Sequence, residues 1–219
     1  MKSKTLLCIL LLLIFYACET GNDSQQEKMK PGLELGDISL SEADKKKLLT
    51  EIKQLKGLEE QRKYLEKIAE DDQKFRGSED AEVMLKYGRE SQEYADYITK
   101  QIKQDNINLF KAEQYLNIHG HPSKEHGASA VSAPWIVIHH APTYEARERN
   151  FETIYTAYLD GYLDDGDLSF YLGRMYQMKK GKRLKMESPY KMEDEINQLI
   201  EELDLNDKKE RIQNMARPK

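Results

Sequence analysis

Glycine and proline are scarce in this chain, and their scarcity excludes folds that are built from many turns. The 219 residues include 12 glycines and 6 prolines, whereas a β-sandwich needs turn residues about every 8–12 positions. Aromatic residues make up 9%, and together with periodic apolar residues they argue against a wholly disordered chain. The length fits one domain, or one domain with an attachment.

An excess of basic charge is also absent. Lysine and arginine total 34 against 39 acidic residues, for a formal charge of −5, and the two signs are interspersed. The chain therefore lacks the basic surface typical of nucleic-acid-binding proteins, and we expect no nucleic-acid partner. The sequence also contains no glycine-rich phosphate loop, no serine nucleophile elbow and no acidic pair specific to glycosidases.

The N-terminus carries the one long apolar run. Lys2 and Lys4 precede an apolar stretch over Leu6 to Ala17, which is shorter than the ~20 residues that a membrane-spanning helix needs. A positive start followed by a short apolar core is typical of a secretory signal. We therefore predict that residues 1–17 are a signal peptide that is removed.

A cysteine follows this run directly. Ala17 precedes Cys18, and a small residue before a cysteine resembles the lipobox of bacterial lipoproteins, where the thiol is acylated, as with palmitate. Phe15 departs from the usual aliphatic residue, as lipoboxes of the Bacteroidota phylum often do. The alternative is an ordinary secretory signal with a coincidental cysteine.

Cysteine usage agrees with a lipid anchor. Cys8 lies in the predicted leader, so the mature chain would hold only Cys18, with no disulfide and no thiolate for catalysis. Removal of the leader leaves 32 basic and 39 acidic residues, a net charge of −7. Anionic headgroups repel such a body, which favours covalent attachment. We expect a lipoprotein of the cell envelope, at the outer membrane or the periplasmic face.

The remainder divides into a tether and a helical domain. Residues 18–37 are polar and predict a flexible lipidated tether. Apolar residues at helical spacing then predict an all-α single compact multi-helix domain over 38–215. The first predicted helix begins after Ser41, the second extends from Leu58 to near Gly77, and the third extends from Ser78 to Ile98 with an interruption at Gly88. The other predicted helices are Asp105–Leu116, Ala128–Ala141, Tyr144–Leu163, Leu168–Met178 and Met192–Leu203.

Charged residues interrupt one apolar stripe. Asp72 and Arg76 share the helix face of Leu65, Ile68 and Phe75, where charges need partners. They predict either a buried structural network or part of a site. Arg174 lies near Leu172 and Met175 and is similarly ambiguous.

All five histidines lie within 22 residues. His119, His121 and His126 occupy a loop before the apolar helix, and His139 and His140 lie at its far end. Imidazole is a common metal ligand and acid–base group. However, no His-Glu-x-x-His spacing occurs, and adjacent histidines point to different helix faces, so satisfied or solvated histidines are the alternative to a metal site.

These segments resemble the bacterial domain-of-unknown-function family numbered 6624, over about residues 65–178. The resemblance lies in Asp72-Gln73-Lys74-Phe75-Arg76, His119-Gly120-His121-Pro122, Gly127-Ala128-Ser129-Ala130 and Ile138-His139-His140-Ala141. It implies a shared fold and a shared polar cluster but no known reaction. The positions that match the family pattern are Asp72, Gln73, Arg76, His119, Gly120, Pro122, Gly127, His140 and Arg174.

The chain also departs from that family. His139 stands where the family usually has glutamine, and Gly173 where it usually has aspartate, which weakens the case for catalysis. Among the histidines, the pattern keeps only His119 and His140. With Asp72 these would make a three-ligand site, so a divalent metal such as zinc is a candidate cofactor.

Two functions remain open from the sequence. The first is a membrane-tethered helical module that binds an unknown protein or small molecule. The second is an exported hydrolase-like enzyme, with or without a metal, with His119 or His140 as general base, Asp72 as its orienting group, and Arg76 or Arg174 holding an anion. The spatial arrangement of these residues discriminates between them.

Overall fold

Residues 38–216 are described by a computed structural model, and their regular structure is helical throughout. The predicted signal peptide and tether, including Cys18, lie outside the described residues. The helices are α1 (Glu42–Gln54), α2 (Leu58–Gln73), α3 (Ser78–Tyr87), α4 (Gln92–His119), α5 (Ala128–His139), α6 (Tyr144–Leu159), α7 (Asp165–Lys180), α8 (Met192–Glu202) and α9 (Asn206–Ala216), with a 3₁₀ turn at Lys124–His126. The predicted all-α domain is confirmed.

Side-chain caps begin several helices where the sequence offers them. The hydroxyl groups of Ser41, Ser91 and Thr143 accept from backbone N–H groups in the first turns of α1, α4 and α6. Asp164 and Asp167 form a reciprocal capping box at the start of α7. These bonds satisfy amides that have no partner inside the helix, and each contributes about 1 kcal/mol.

The apolar helix α5 lies at the centre of the core. It packs against α2, α4 and α6, and Ala133 and Ile138 are fully buried. The helix begins at Ala128, so Pro134 lies in its interior and does not mark its start. The segment is apolar nearly all round, which is typical of a buried central helix.

The long helix α4 differs from the prediction. It extends for 28 residues from Gln92, so the predicted helix start at Asp105 is wrong. The interruption predicted at Gly88 is confirmed, since Gly88 ends α3 with a φ of 87°, a value that favours glycine. Despite its length α4 is polar, and no helix within residues 38–216 is long and apolar enough to cross a membrane.

Two further boundaries differ near the C-terminus. The helix predicted to reach Leu163 ends at Leu159, and the chain turns at Gly161, where φ is 73°. Helix α9 was not predicted, because its residues are mostly charged or polar, and only Ile212 is buried among residues 206–215. Periodicity is a weak signal where the apolar face is this narrow.

Candidate functional site

Charged and polar side chains from α2, α4, α5, α6 and α7 meet beside the core. We call this group the Arg–Asp–His cluster; its members are Asp72, Arg76, Asp105, His139, His140, Arg147 and Arg174. Asp72, Arg76, His140 and Arg174 are sequence-predicted site residues that the structure brings together. Gln73 contacts the cluster through Asp72.

Asp72 is the anionic centre of the cluster. It lies in the last turn of α2 and is only 1% exposed. Its Oδ2 accepts from Gln73 Nε2 at 2.8 Å and lies 2.8 Å from His140 Nδ1, while Oδ1 lies 3.4 Å from Arg76 Nη1. Burial raises the pKa of the Asp72 carboxyl to about 6, and the nearby Arg76 charge opposes that rise.

Arg76 joins the end of α2 to the middle of α4. Helix α2 ends at Gln73, so Arg76 lies beyond it and donates from Nη1 to the backbone carbonyl of Asp72. Its Nη2 donates to Asp105 Oδ1 at 2.8 Å. Burial raises the pKa of Asp105 to about 7, with Arg76 acting in the opposite direction. Arg76 thus contacts both carboxylates.

His140 and Asp72 form a dyad at the end of α5. The Nδ1 of His140 donates to Asp72, and within residues 38–216 its Nε2 has no hydrogen-bond partner. The side chain is 13% exposed. Burial lowers the His140 pKa well below 6.5, and the charges of Arg76, Arg147 and Arg174 lower it further. The imidazole is therefore neutral at pH 7, with a lone pair on Nε2.

The neighbouring His139 is packed into the core, and its ring lies edge to face with that of His140, with centroids 5.4 Å apart. Its ring stacks on Phe170 with centroids 4.5 Å apart and on Trp135 at 5.4 Å. It is 3% exposed, and its Nδ1 has no hydrogen-bond partner among the residues that the structure describes. Burial lowers its pKa well below 6.5. The two adjacent histidines therefore have different partners: His139 stacks on aromatic rings, whereas His140 bonds to Asp72.

Arg147 on α6 and Asp105 on α4 are cluster members that sequence reasoning missed. Arg147 is 4% exposed, and its Nε donates to the Ala141 carbonyl at 2.9 Å. Its Nη1 has no hydrogen-bond partner among residues 38–216. Burial lowers the Arg147 pKa to about 9, and Arg174 lowers it further. The sequence does carry a signal for Arg147, because it precedes Phe151 and Ile154 by four and seven residues. That spacing places Arg147 on the same buried face of α6.

Arg174 completes the cluster from α7. It lies one turn beyond Phe170, which stacks on His139, and is half-buried. Its positive charge acts on Arg147, His139 and His140. The ambiguous arginine of the sequence is therefore one of three guanidinium groups whose charges converge on one dyad.

His119 belongs to a second polar group, which we call the Gln61 network. Gln61 Oε1 accepts from the Tyr115 hydroxyl at 3.0 Å and lies 3.2 Å from His126 Nε2. Gln61 Nε2 lies 3.4 Å from His119 Nδ1, and His119 Nε2 lies 2.9 Å from the Ile52 carbonyl. The network fixes the His119–His126 loop to α1 and α2.

The three candidate metal ligands are divided between these groups. Asp72 and His140 are in direct contact, whereas both ring nitrogens of His119 bond within the Gln61 network. In the part of the chain that the structure describes, no group of three His, Cys, Asp or Glu side chains is placed to hold a metal ion. His121 contacts its own loop and stacks on Tyr162 at 4.2 Å.

The cluster can do two kinds of chemistry. Neutral His140, oriented by Asp72, is able to accept a proton at Nε2, and the arginines are able to hold an anionic group.

Comparison with known proteins found no match: no protein-family model, no curated protein and no solved structure matches this chain.

Proposed function

We propose that the protein is a bacterial lipoprotein of the cell envelope, tethered through an acylated Cys18, whose helical domain is a binding module. The sequence of the leader and Cys18 supports the tether. The observation that carries the binding role is the Arg–Asp–His cluster, because the Nη1 donor of its buried Arg147 has no hydrogen-bond partner in the part of the chain that the structure describes. Native proteins pair most such groups, so an unpaired one indicates a ligand position.

The tether is tested with the two cysteines of the full chain. Radiolabelled palmitate and membrane fractionation are compared for the wild type, Cys18→Ala and Cys8→Ala. We expect label and membrane association in the wild type and in Cys8→Ala, since Cys8 leaves with the leader. Cys18→Ala should lose both. Continued membrane partitioning of Cys18→Ala would make the lipid anchor wrong.

A hydrolase-like enzyme is the second candidate, and the Asp72–His140 dyad favours it. His140 Nε2 would take a proton from water, Asp72 would orient the ring, and Arg76 or Arg174 would hold an anionic substrate group. Hydrolysis of p-nitrophenyl phosphate and p-nitrophenyl acetate tests it, with His140→Ala against His121→Ala. Activity that His121→Ala keeps and His140→Ala loses would support the enzyme; equal activity in both would reject it.

The resemblance to family 6624 is part of this proposal. Asp72, Gln73, Arg76 and His140, which match the family pattern, are in direct contact or share a partner here. That contact supports a shared polar cluster. His119 matches the pattern as well but lies in the Gln61 network, which favours a structural role for the His-Gly-x-Pro loop.

A further inference from the structure

An irregular loop joins α7 to α8, and we call it the basic loop (residues 181–191). Ser169 Oγ donates to Glu195 Oε2 at 3.0 Å near the start of both helices, and Lys180 Nζ lies 3.5 Å from Glu202 Oε2 near their ends. The two helices are therefore parallel, so the loop runs back along them for about 17 Å. Its side chains form a strip along one side of the helix pair.

Two lysines of this strip are free. Leu184 packs against the core and, like Met186, is half-buried, which holds the loop on the domain. Lys182 and Lys185 are exposed, and within residues 38–216 neither has an ion-pair partner. Their ammonium groups are therefore available to a partner outside the chain.

The other cations of this region already have partners or compensating charge. Lys179 Nζ lies 3.0 Å from Asp204 Oδ2, and Lys180 is likewise paired with an acidic residue. Arg183 has an interaction within the chain, and Lys191 directly precedes the acidic first turn of α8. The free positive charge is thus that of Lys182 and Lys185.

The basic loop is positive although the protein as a whole is acidic. It holds four basic residues and one acidic residue, Glu187, for a net charge of +3. Because the mature chain would carry −7, its residues outside the loop would carry −10. An anionic surface repels such a body and attracts the loop.

Exposed apolar side chains lie along the same strip. Tyr190 in the loop is 46% exposed, and Met178 and Met192, which flank the loop, are 38% and 41% exposed. Cations among exposed aromatic and apolar side chains are typical of surfaces that contact lipid. There the apolar groups enter the headgroup boundary, and the cations contact anionic headgroups.

The predicted tether is long enough to bring any side of the domain to a membrane. Cys18 and Ile38, the first described residue, are 20 residues apart. A chain of that length spans at most about 70 Å, which exceeds the diameter of about 40 Å expected for a domain of this size. An anchor also raises the local concentration of the domain at the bilayer, so a weak contact is sufficient.

We propose that the basic loop binds an anionic phospholipid surface and thereby sets the side on which the tethered domain faces its membrane. The inference rests on the proposed function in one respect, that Cys18 anchors the chain, and it adds the surface that contacts the bilayer. Lys182 and Lys185 contact the headgroups, and Tyr190 lies at headgroup level. The acidic remainder faces away.

The loop is tested in the mature chain with Cys18→Ala, which lacks the acyl anchor and therefore reports the affinity of the protein surface. Its co-sedimentation with vesicles of phosphatidylglycerol and phosphatidylcholine in equal amounts is compared with that of phosphatidylcholine vesicles. We expect binding to the anionic vesicles at low ionic strength. Binding to the neutral vesicles, or at high ionic strength, should be at least about tenfold weaker.

Two pairs of lysines with the same spacing provide matched variants. Lys182→Gln/Lys185→Gln should weaken binding to the anionic vesicles at least about tenfold, because each basic residue near such a surface contributes a factor of about five. Lys100→Gln/Lys103→Gln makes the same charge change at exposed positions of α4 and should change the affinity by less than about twofold. Tyr190→Ala should weaken binding about threefold, since an exposed ring is lost from the interface.

Either of two results would overturn the loop as the membrane-facing surface. One is that the Cys18→Ala chain does not bind the anionic vesicles at low ionic strength, or binds the neutral vesicles as tightly. The other is that the two lysine pairs weaken binding equally, which would make net charge the cause. If the wild type still incorporates palmitate at Cys18 in either case, the loop alone has failed. If the loop binds vesicles but the wild type takes up no palmitate, the tether has failed independently.

Discussion

The Gln61 network and the Arg–Asp–His cluster use similar residues at the two ends of α5 with opposite results. Around Gln61, the Tyr115 hydroxyl and both histidine rings have neutral partners at 2.9–3.4 Å. In the cluster, Arg147 Nη1 and Asp72 Oδ1 are buried and have no hydrogen-bond partner among the described residues. A fully satisfied network is typical of structural roles, whereas a partly unsatisfied one is typical of a site.

Removal of the central carboxylate should have the largest effect. Asp72→Ala takes away the partner of His140 and one of the two anions near Arg76. We expect unfolding free energy to fall by about 3–5 kcal/mol, because buried positive charge loses compensation. Urea denaturation measures it. The control is Asp71→Ala, whose less buried carboxylate pairs with Lys67 and should contribute under about 1 kcal/mol; equal losses would refute the central role of Asp72.

The Gln61 network should be the next most sensitive. Gln61→Ala leaves the Tyr115 hydroxyl, His119 and His126 without their shared partner. Because these part-buried polar groups would lose their hydrogen bonds, the unfolding free energy should fall by about 2–3 kcal/mol in total. Denaturant unfolding should also show little change for Gln92→Ala, whose amide bonds only the exposed Asp96. A loss below about 1 kcal/mol would show that the network does not stabilise the loop.

The fold was more readily predicted than the site. Helices with wide apolar faces, such as α2 and α5, follow from periodicity, and Asp72 was noticed because it interrupts a stripe. Asp105 was taken as a helix start, which hid its place on the buried face of α4 with Ile98, Ile102 and Leu109. The division of the histidines between two networks depends on tertiary packing, which spacing does not encode.

Titration of Asp105 should make the unfolding free energy depend on pH. Its pKa is about 7 in the folded protein against 3.8 for the ordinary carboxyl. The folded state therefore holds a proton that the unfolded state releases, and the Asp105 contribution is lost as pH rises from about 4 to about 7, by up to about 1.4 kcal/mol per unit.

Comparison of the wild type with Asp105→Asn isolates the contribution of Asp105 to the pH dependence of stability. The lowered pKa values of His139 and His140 act in the opposite direction below pH 6.5, but they are common to both proteins. Unfolding free energies across pH 4–7.5 should show the wild type losing stability relative to Asp105→Asn as pH rises. Parallel curves would mean that Asp105 titrates normally.

The most direct test of Arg147 as a ligand position is the unfolding free energy of Arg147→Met, measured in chloride and in phosphate at equal ionic strength. We predict a change in chloride within about 1 kcal/mol of zero, or a gain, because the variant removes a buried cation whose Nη1 has no hydrogen-bond partner within residues 38–216. Phosphate should then stabilise the wild type but not the variant. A loss in chloride as large as that of Gln61→Ala, with no phosphate effect on either protein, would contradict the account and make the cluster a structural network.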